Sequence, residues 1–220
     1  YNYNSVGGSI INNTIASNSY SIRFNFESAG NVMYALSKAA NIRKNSNGEY
    51  AILGIPYAQY LKGEFDFAKN IRIDYRNSFA FHAGVGIAVP YGNAKTIPFE
   101  KQYFSGGANS VRGWSVRDLG PGSFAGNGNL LDQSGDIKLD ASIEYRSKLF
   151  WKFQVAVFID AGNIWTIRSY ANQPGGVFKF DRFYKQIAVA YGLGLRLDLD
   201  FFILRFDGGM KAVNPAYELS

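Results

Sequence analysis

The chain has 220 residues, of which 47% are hydrophobic and 16% aromatic, enough to build one sizeable folded domain. A transmembrane helix is excluded because no stretch of about 18 apolar residues occurs, and the lack of cysteine excludes disulfides and cysteine metal sites. The 23 Lys and Arg against 17 Asp and Glu give a net charge of +6, but the basic residues are scattered, which favours a polar lumen or an anionic lipid surface over a nucleic-acid groove.

Apolar and polar residues alternate along most of the chain from Ser19 onward, and this period of two predicts β-strands. Together with a short first strand at residues 1–6, the alternation predicts about eight strands. The other segments, in chain order, are 22–27, 57–73, 79–89, 137–146, 153–160, 187–198 and 202–207. The strands are expected to run roughly 9–14 residues, which is longer than usual in soluble sheets and close to the length that crosses a bilayer when tilted.

Each predicted strand has one apolar face and one face that includes charge. The charged face carries groups such as Asp140 and Glu144, which a packed core could not hold unpaired but a wet lumen can. The sequence therefore predicts an all-β fold, a transmembrane antiparallel up-and-down β-barrel. A soluble two-sheet sandwich or lipocalin-like barrel stays open, because the same alternation serves both architectures. Six aromatic residues near strand ends fit interfacial girdles and fit ordinary strand positions equally well: Tyr57, Tyr75, Tyr91, Trp151, Trp165 and Tyr184.

No pair of residues indicates a catalytic or metal site. The single histidine, His82, is predicted to pack on the lumen face, because one histidine without cysteine is a poor basis for a metal site or a catalytic triad. Glu64 and Asp66 lie two residues apart beside a lysine, which favours a ladder of lumen charges over acid–base catalysis. Gly192 and Gly194 lie mid-strand, and we interpret them as room for a loop to approach the wall. We expect no enzyme activity, cofactor, metal or nucleic-acid partner.

Residues 91–136 form a predicted loop of about 45 residues, rich in Gly, Asn and Ser and much longer than a turn requires. Its centre reads FSGGANSVRGW and is followed by RDLGPG. In this tip Gly113 permits a tight reversal, Trp114 offers an apolar anchor, and Arg112 can bind a carboxylate through its bidentate fork. A buried arginine at a loop tip requires an acidic partner.

The tip resembles the hallmark of the Omp85 superfamily of outer-membrane barrels (the BamA and TamA family), a Val-Arg-Gly-aromatic motif on a long extracellular loop that folds back into the barrel. The matching residues are Val111, Arg112, Gly113 and Trp114, with Gly106 and Gly107 in the glycine-rich approach. The resemblance implies an acidic partner in a Phe-x-Asp-x-Gly pattern, which Phe158, Asp160 and Gly162 match. By alternation, Asp160 lies on the lumen face, and Glu144 on the preceding strand has the same parity, so both acids are predicted to flank the arginine.

The resemblance covers the whole chain and implies that residues 1–220 are one partial barrel domain, about strands eight to fifteen of sixteen, without the first half of the barrel or the periplasmic POTRA repeats. The chain starts at Tyr1 with no signal sequence, so we expect a processed or missing N-terminus. The family's last strand ends in an aromatic assembly signal, whereas this chain stops at YELS after Asn214-Pro215. The RDLGPG continuation and residues 201–207 most resemble the TamA-like branch of Bacteroidota, often called TamL.

The implied function is a non-enzymatic component of the Gram-negative outer membrane that inserts or translocates proteins. The implied partners are outer-membrane lipid and lipopolysaccharide, client outer-membrane β-barrel proteins, and a TamB-like protein of the periplasm or inner membrane. A translocation pore of the two-partner secretion branch shares the loop motif and stays open as an alternative. A passive porin or complete eight-stranded structural barrel is the other alternative, although so small a barrel has no space in its lumen for this loop.

Overall fold

A computed structural model describes the backbone of residues 2–11, 16–199 and 201–217 and the side chains of residues 18–199 and 201–217. In chain order the elements are β1 Asn2–Ile11, β2 Ala16–Ala29, α1 Asn31–Ala39, β3 Ala51–Ile52, β4 Ile55–Pro56, β5 Tyr60–Arg72, β6 Asn77–Pro90, a 3-10 helix Phe99–Lys101, β7 Ile137–Lys148, β8 Phe153–Trp165, a 3-10 helix Phe183–Gln186, β9 Ala188–Asp198 and β10 Ile203–Val213. All strands except β3 and β4 form one eight-stranded sheet.

The eight long strands pair antiparallel with their neighbours in chain order, so the predicted up-and-down antiparallel sheet is confirmed. Strands β1 and β10 lie at the two ends of this order. The first strand is longer than the predicted range 1–6, since β1 continues to Ile11; Tyr1 itself lies outside the described residues. Helix α1 and the β3–β4 hairpin occupy the connection from β2 to β5, where no element is predicted.

The register gathers most of the charged side chains on one face of the sheet, which we call the inner face; the opposite face is the outer face. Arg23 of β2 lies across from Asp66 of β5 on the inner face. The inner-face acids Asp140, Glu144 and Asp160 are buried. Large apolar side chains remain exposed on the outer face, among them Phe24, Phe26, Val85, Ile143, Ile159 and Leu193. A water-soluble protein has the opposite arrangement, whereas this one is typical of a barrel whose outer surface meets lipid.

The six aromatic residues near strand ends do not behave alike. Tyr75 and Trp151, in the turns after β5 and β7, are 69% and 74% exposed, as an interfacial girdle requires. Trp165 is fully buried, and its indole N–H donates to Gln186 Oε1 at 2.9 Å, so the girdle interpretation is wrong for this residue. None of the helices in the described part of the chain is long and apolar enough to cross a membrane.

The segment between β6 and β7, residues 91–136, packs against the inner face. Within it, a pair of hydrogen bonds of 2.8 Å between the backbones of Tyr103 and Gly135 closes the part that carries the tip. Its centre contributes Val111, Trp114 and Leu119 to a buried cluster with Ala188 and Ala190 of β9. The small side chains on this part of β9 leave the space that the loop fills.

Candidate functional site: the arginine at the tip of the inner loop

Two glycines give the loop tip its shape. Gly106 and Gly107 have φ values of +99° and +87°, in the left-handed region that other residues rarely adopt. The Gly107 N–H donates to the Trp114 carbonyl at 2.8 Å, and the Trp114 N–H donates to the Val111 carbonyl at 3.2 Å. These two hydrogen bonds hold the backbone of the tip in a compact turn, and Arg112 lies within that turn.

Arg112 is bound by two carboxylates from adjacent strands. Its Nε and Nη2 donate to the two carboxylate oxygens of Asp160 on β8, each at 2.7 Å, and its Nη1 donates to Glu144 Oε2 on β7 at 2.7 Å. The Arg112 backbone N–H also donates to Asp160, at 3.1 Å. The Arg112 side chain is only 7% exposed, and Asp160 is fully buried. The three predicted residues therefore meet, and all three guanidinium nitrogens are used.

The other two residues of the Phe-x-Asp-x-Gly pattern also contact this group or support it. The Phe158 ring lies beneath the guanidinium, with its centroid 3.4 Å from the Arg112 Cζ atom, in a cation–π contact. Gly162 lies opposite Asp140 in the ladder, and a Cβ on it would come within 3.0 Å of the Asp140 Cα. The pattern thus supplies a ring, a carboxylate and a close contact between β7 and β8.

Four further charged residues extend the group beyond the predicted trio. Glu144 accepts a hydrogen bond from Arg146 Nε at 2.5 Å and forms an ion pair with Arg196 of β9. Asp207 of β10 lies 3.6 Å from Arg112 Nη1 and 2.9 Å from Arg205 Nε. Four arginines and three acids thus make a charge network that is buried around Arg112, Glu144 and Asp160 and reaches solvent at Arg146 and Arg205. The alternation places Arg196, Arg205 and Asp207 on the inner face, but only the register brings them to the height of Arg112.

The network keeps Arg112 charged. Burial alone would lower the pKa of Arg112, but its hydrogen bonds to Asp160 and Glu144 outweigh burial and raise that pKa. A cation of this kind, enclosed by matched anions in a fork geometry, makes a strong and directional connection between the loop and the wall.

Strand β10 contacts the tip from the other side. A Cβ on Gly209 would collide with the Arg112 carbonyl, and a Cβ on Gly113 would lie 2.8 Å from the Ala190 Cβ. Arg205 Nη2 donates to the Ala108 carbonyl at 2.6 Å. The loop therefore touches β9 and β10 closely, with glycine needed on both sides of the contact.

The interpretation of Gly192 and Gly194 as room for the loop itself needs correction. A Cβ on Gly192 would meet the Phe158 ring at 2.5 Å, and a Cβ on Gly194 would collide with the Asp207 carboxylate. These glycines therefore make room for two wall side chains that flank Arg112. The loop backbone instead approaches Ala190 and Gly209.

The model of the Omp85 superfamily domain matches residues 12–218. The chain belongs to the Omp85 superfamily. Its all-β fold, with an apolar outer face, is that of an outer-membrane β-barrel protein of Gram-negative bacteria.

Two known proteins are similar to this Omp85 domain. Over 91 residues it is 34% identical to the outer membrane protein assembly factor BamA of Neisseria meningitidis serogroup B, a match that covers 39% of this chain and 11% of the relative. The crystal structure of BamA from Haemophilus ducreyi lacking POTRA domains 1–3 is similar with a TM-score of 0.56 and 16% identity, covering 89% of this chain and 48% of that one. The chain thus spans less than half the length of either relative.

The remaining predicted polar residues of the Omp85 domain lie on the inner face, close to acidic or basic neighbours. His82 lies between two acids, with Nε2 3.4 Å from Asp66 and Nδ1 3.3 Å from Asp140. Glu64 pairs with Lys62 at 3.1 Å, as expected of a charge ladder. Among the described residues no group of His, Cys, Asp and Glu has the arrangement of a metal site.

Proposed function

We propose that this Omp85 domain is the barrel part of an outer-membrane protein insertase that assembles client β-barrel proteins. The observation that carries the proposal is the buried fork between Arg112 and the acids Asp160 and Glu144, which fixes the long loop to the wall. One similar protein bears the name outer membrane protein assembly factor. A passive pore has no evident need for so strong a connection inside its lumen, whereas an insertase requires a rigid wall beside a seam that opens.

In this proposal the domain supplies about strands eight to fifteen of a sixteen-stranded barrel, and residues 91–136 are its extracellular loop. Since β1 and β10 lie at the ends of the sheet, further strands would continue from both edges. The loop stiffens the arc β7–β10, while client strands pair at a distant seam by strand addition. Val111 and Trp114, both buried, hold the tip on the wall while Arg112 provides the ionic contact.

Within the superfamily we assign the chain to the TamA-like branch of Bacteroidota, TamL. This assignment is supported by RDLGPG after the loop tip and by the FFILRFD stretch that enters β10. Its expected partners are lipid and lipopolysaccharide of the outer membrane, client barrels, and a TamB-like protein. Co-purification of the complete protein from its native membranes tests the branch: a long periplasm-spanning partner supports it, and a set of assembly lipoproteins without such a partner contradicts it.

The insertase proposal is tested by reconstitution of the complete protein into phospholipid liposomes. A urea-denatured eight-stranded outer-membrane protein serves as the client, and its folding is followed by heat-modifiable migration in gels. We expect the wild-type protein to accelerate client folding over empty liposomes, and Arg112→Ala to lose most of that acceleration. No acceleration by the wild-type protein contradicts the proposal, and ion conductance without acceleration favours a secretion pore or porin.

Arg117→Ala is the matched control for this experiment. Arg117 belongs to the same loop, but its guanidinium lies over the rings of Phe99 and Phe104, at 5.1 Å and 4.3 Å, and not over the charge network. The control should keep full activity. Equal losses for Arg112→Ala and Arg117→Ala would mean that any change in the loop disturbs insertion, and the proposed role of the fork would be wrong.

A further inference from the structure

Helix α1 is attached to the rest of the domain by its polar residues. Asn31 Oδ1 accepts hydrogen bonds from Gln59 Nε2 at 2.8 Å and from the Tyr91 hydroxyl at 2.5 Å. Ser37, which is buried, hydrogen-bonds through its hydroxyl to the Tyr57 hydroxyl at 3.1 Å. The side of the helix that packs on the protein thus carries these two polar groups and the ring of Tyr34, whose centroid lies 5.5 Å from that of Tyr50.

The apolar residues of α1 point away from the protein. Val32, Met33 and Leu36 are 73%, 47% and 60% exposed. At about 100° per residue, Val32 and Leu36 lie on the side of the helix opposite the half-buried Tyr34. The helix is therefore amphipathic in the reverse sense to a helix on a water-soluble protein, where the apolar side packs inward.

The neighbouring β3–β4 hairpin repeats this reversal. Its turn residue Leu53 is 98% exposed, and Ile52 and Ile55 on either side are 41% and 72% exposed. The helix and the hairpin, separated by residues 40–50, thus both leave large apolar side chains uncovered. Exposed apolar surface of this extent indicates a binding partner or a membrane.

The helix lies over the rim of the outer face and not over the lumen. Asn31 Nδ2 donates to the Ser28 hydroxyl at 2.6 Å, and Ser28 pairs in the ladder with Leu61, an exposed outer-face residue. Leu61 in turn pairs with the exposed Val89, two residues before Tyr91. The contacts of α1 therefore continue the rows of side chains that face lipid, at the point where the strands leave the membrane.

The charge of this segment suits a lipid surface. Between residues 30 and 56 the chain has three basic residues, Lys38, Arg43 and Lys44, and a single acid, Glu49. The three basic side chains belong to exposed residues. Exposed lysine and arginine beside an apolar helix face are the combination by which interfacial helices bind phosphate-bearing lipids.

We infer that α1 and the β3–β4 hairpin form an interfacial membrane anchor, with Val32, Met33, Leu36 and Leu53 inserted among lipid acyl chains and Lys38, Arg43 and Lys44 on lipid phosphates. Lipid is the occupant because α1 is held by Ser28 and Tyr91, which extend the lipid-facing rows of β2 and β6, and because the segment has an excess of exposed basic residues. A helix and hairpin inserted here would hold the rim of the barrel near β2 and β5 at a fixed depth in the membrane. The inference depends on the outer-membrane location and not on the proposed insertase activity.

The test measures lipid contact at single positions of the complete protein in liposomes of phosphatidylcholine and phosphatidylglycerol. Leu36→Cys, Leu53→Cys and the control Asn47→Cys, in the polar turn 45–49, are each labelled with a solvent-sensitive fluorophore; these 220 residues contain no cysteine of their own. Lipids with a nitroxide on the acyl chain are the quencher. We expect a blue-shifted emission and at least about twofold stronger quenching at positions 36 and 53 than at 47, given an insertion depth of about 5–10 Å.

The basic residues are tested in the same assay. Lys38→Glu combined with Lys44→Glu should weaken quenching at position 36 in liposomes with phosphatidylglycerol and change it little in pure phosphatidylcholine. Equal quenching at positions 36 and 47 overturns the inference. Efficient crosslinking of position 36 to a protein in native membranes also overturns it, since the occupant would then be a protein. Heat-modifiable migration of each variant ensures that the barrel is folded.

Discussion

The centroid of the Phe158 ring lies 3.4 Å from the Cζ atom of Arg112, while Asp160, two residues further along β8, binds the same guanidinium edge-on. One strand thus supplies both a π face and a carboxylate to one cation. The two contacts constrain different directions: the carboxylate fixes the guanidinium in its own plane, and the ring fixes it along the perpendicular.

Replacing the ring should loosen the arginine without removing its ion pairs. Phe158→Leu is expected to destabilise the barrel by about 1–3 kcal/mol, from the lost cation–π contact and the smaller side chain. Thermal unfolding in detergent, followed by heat-modifiable migration, measures the effect. The control is Phe206→Leu on the outer face of β10, where the side chain is 66% exposed. Equal losses in the two variants would rule out a special role for the ring.

The fork between Arg112 and Asp160 should show strong energetic coupling. Arg112→Ala leaves the buried Asp160 carboxylate without its cation, while Glu144 keeps Arg146 and Arg196. Asp160→Ala leaves a buried cation with fewer partners, and each change should cost about 3–5 kcal/mol. Both should make residues 91–136 more sensitive to protease in intact membranes. The double variant should cost clearly less than the sum of the two single changes. Additive costs, or unchanged protease sensitivity, contradict a direct connection.

Two adjacent glycines of β10 test the close approach of the loop. A Cβ on Gly209 would collide with the Arg112 carbonyl, whereas a Cβ on Gly208 would meet no atom nearer than the Leu193 carbonyl at 4.0 Å. Gly209→Ala is therefore expected to displace the tip and increase cleavage of the loop by protease. Gly208→Ala should leave cleavage unchanged and stabilise the strand slightly, by up to about 1 kcal/mol. If the two variants behave alike, the loop does not approach β10 as the structure has it.

Asp136, the residue before β7, predicts a pH effect. It is buried, its carboxylate accepts the Ile167 N–H at 3.0 Å, and burial raises its pKa above the ordinary value. Because the folded form holds this proton more tightly than the unfolded form, the contribution of Asp136 to stability is complete below about pH 4 and is lost as pH rises through the raised pKa. Asp136→Asn should therefore unfold at a higher temperature than the wild-type protein at neutral pH, and the difference should shrink toward pH 4.

The exposed Asp118→Asn in the same loop controls for the loss of one negative charge. Thermal unfolding of the three proteins between pH 4 and 8 provides the measurement. A constant difference between wild type and Asp136→Asn across this range would mean that the carboxyl group does not titrate differently in the folded state.

Much of this arrangement could be read from the sequence, since alternation depends only on local spacing. It places Asp160 and Glu144 on one face, and the loop motif supplies Arg112. The contact of Asp207 with Arg112 could not be predicted. The position of Asp207 along the strand direction, relative to Arg112, depends on the register of β9 against β10, which the alternation does not specify. Helix α1 was missed for another reason: it has only nine residues, and its apolar side faces outward. The burial of Trp165 depends on Gln186 and Phe178, which approach it from the next connection.

The tip of the loop reaches from β7 and β8 to β10 and so passes across β9. It therefore acts as a chord across an arc of four strands. Flattening that arc would lengthen the distance between Asp160 and Arg205 on the inner face and pull apart their contacts with the tip. A tighter curl would press the Arg112 backbone into Gly209. The loop thus fixes the radius of curvature of this part of the sheet, and any change in barrel diameter has to be taken up by strands that the loop does not touch.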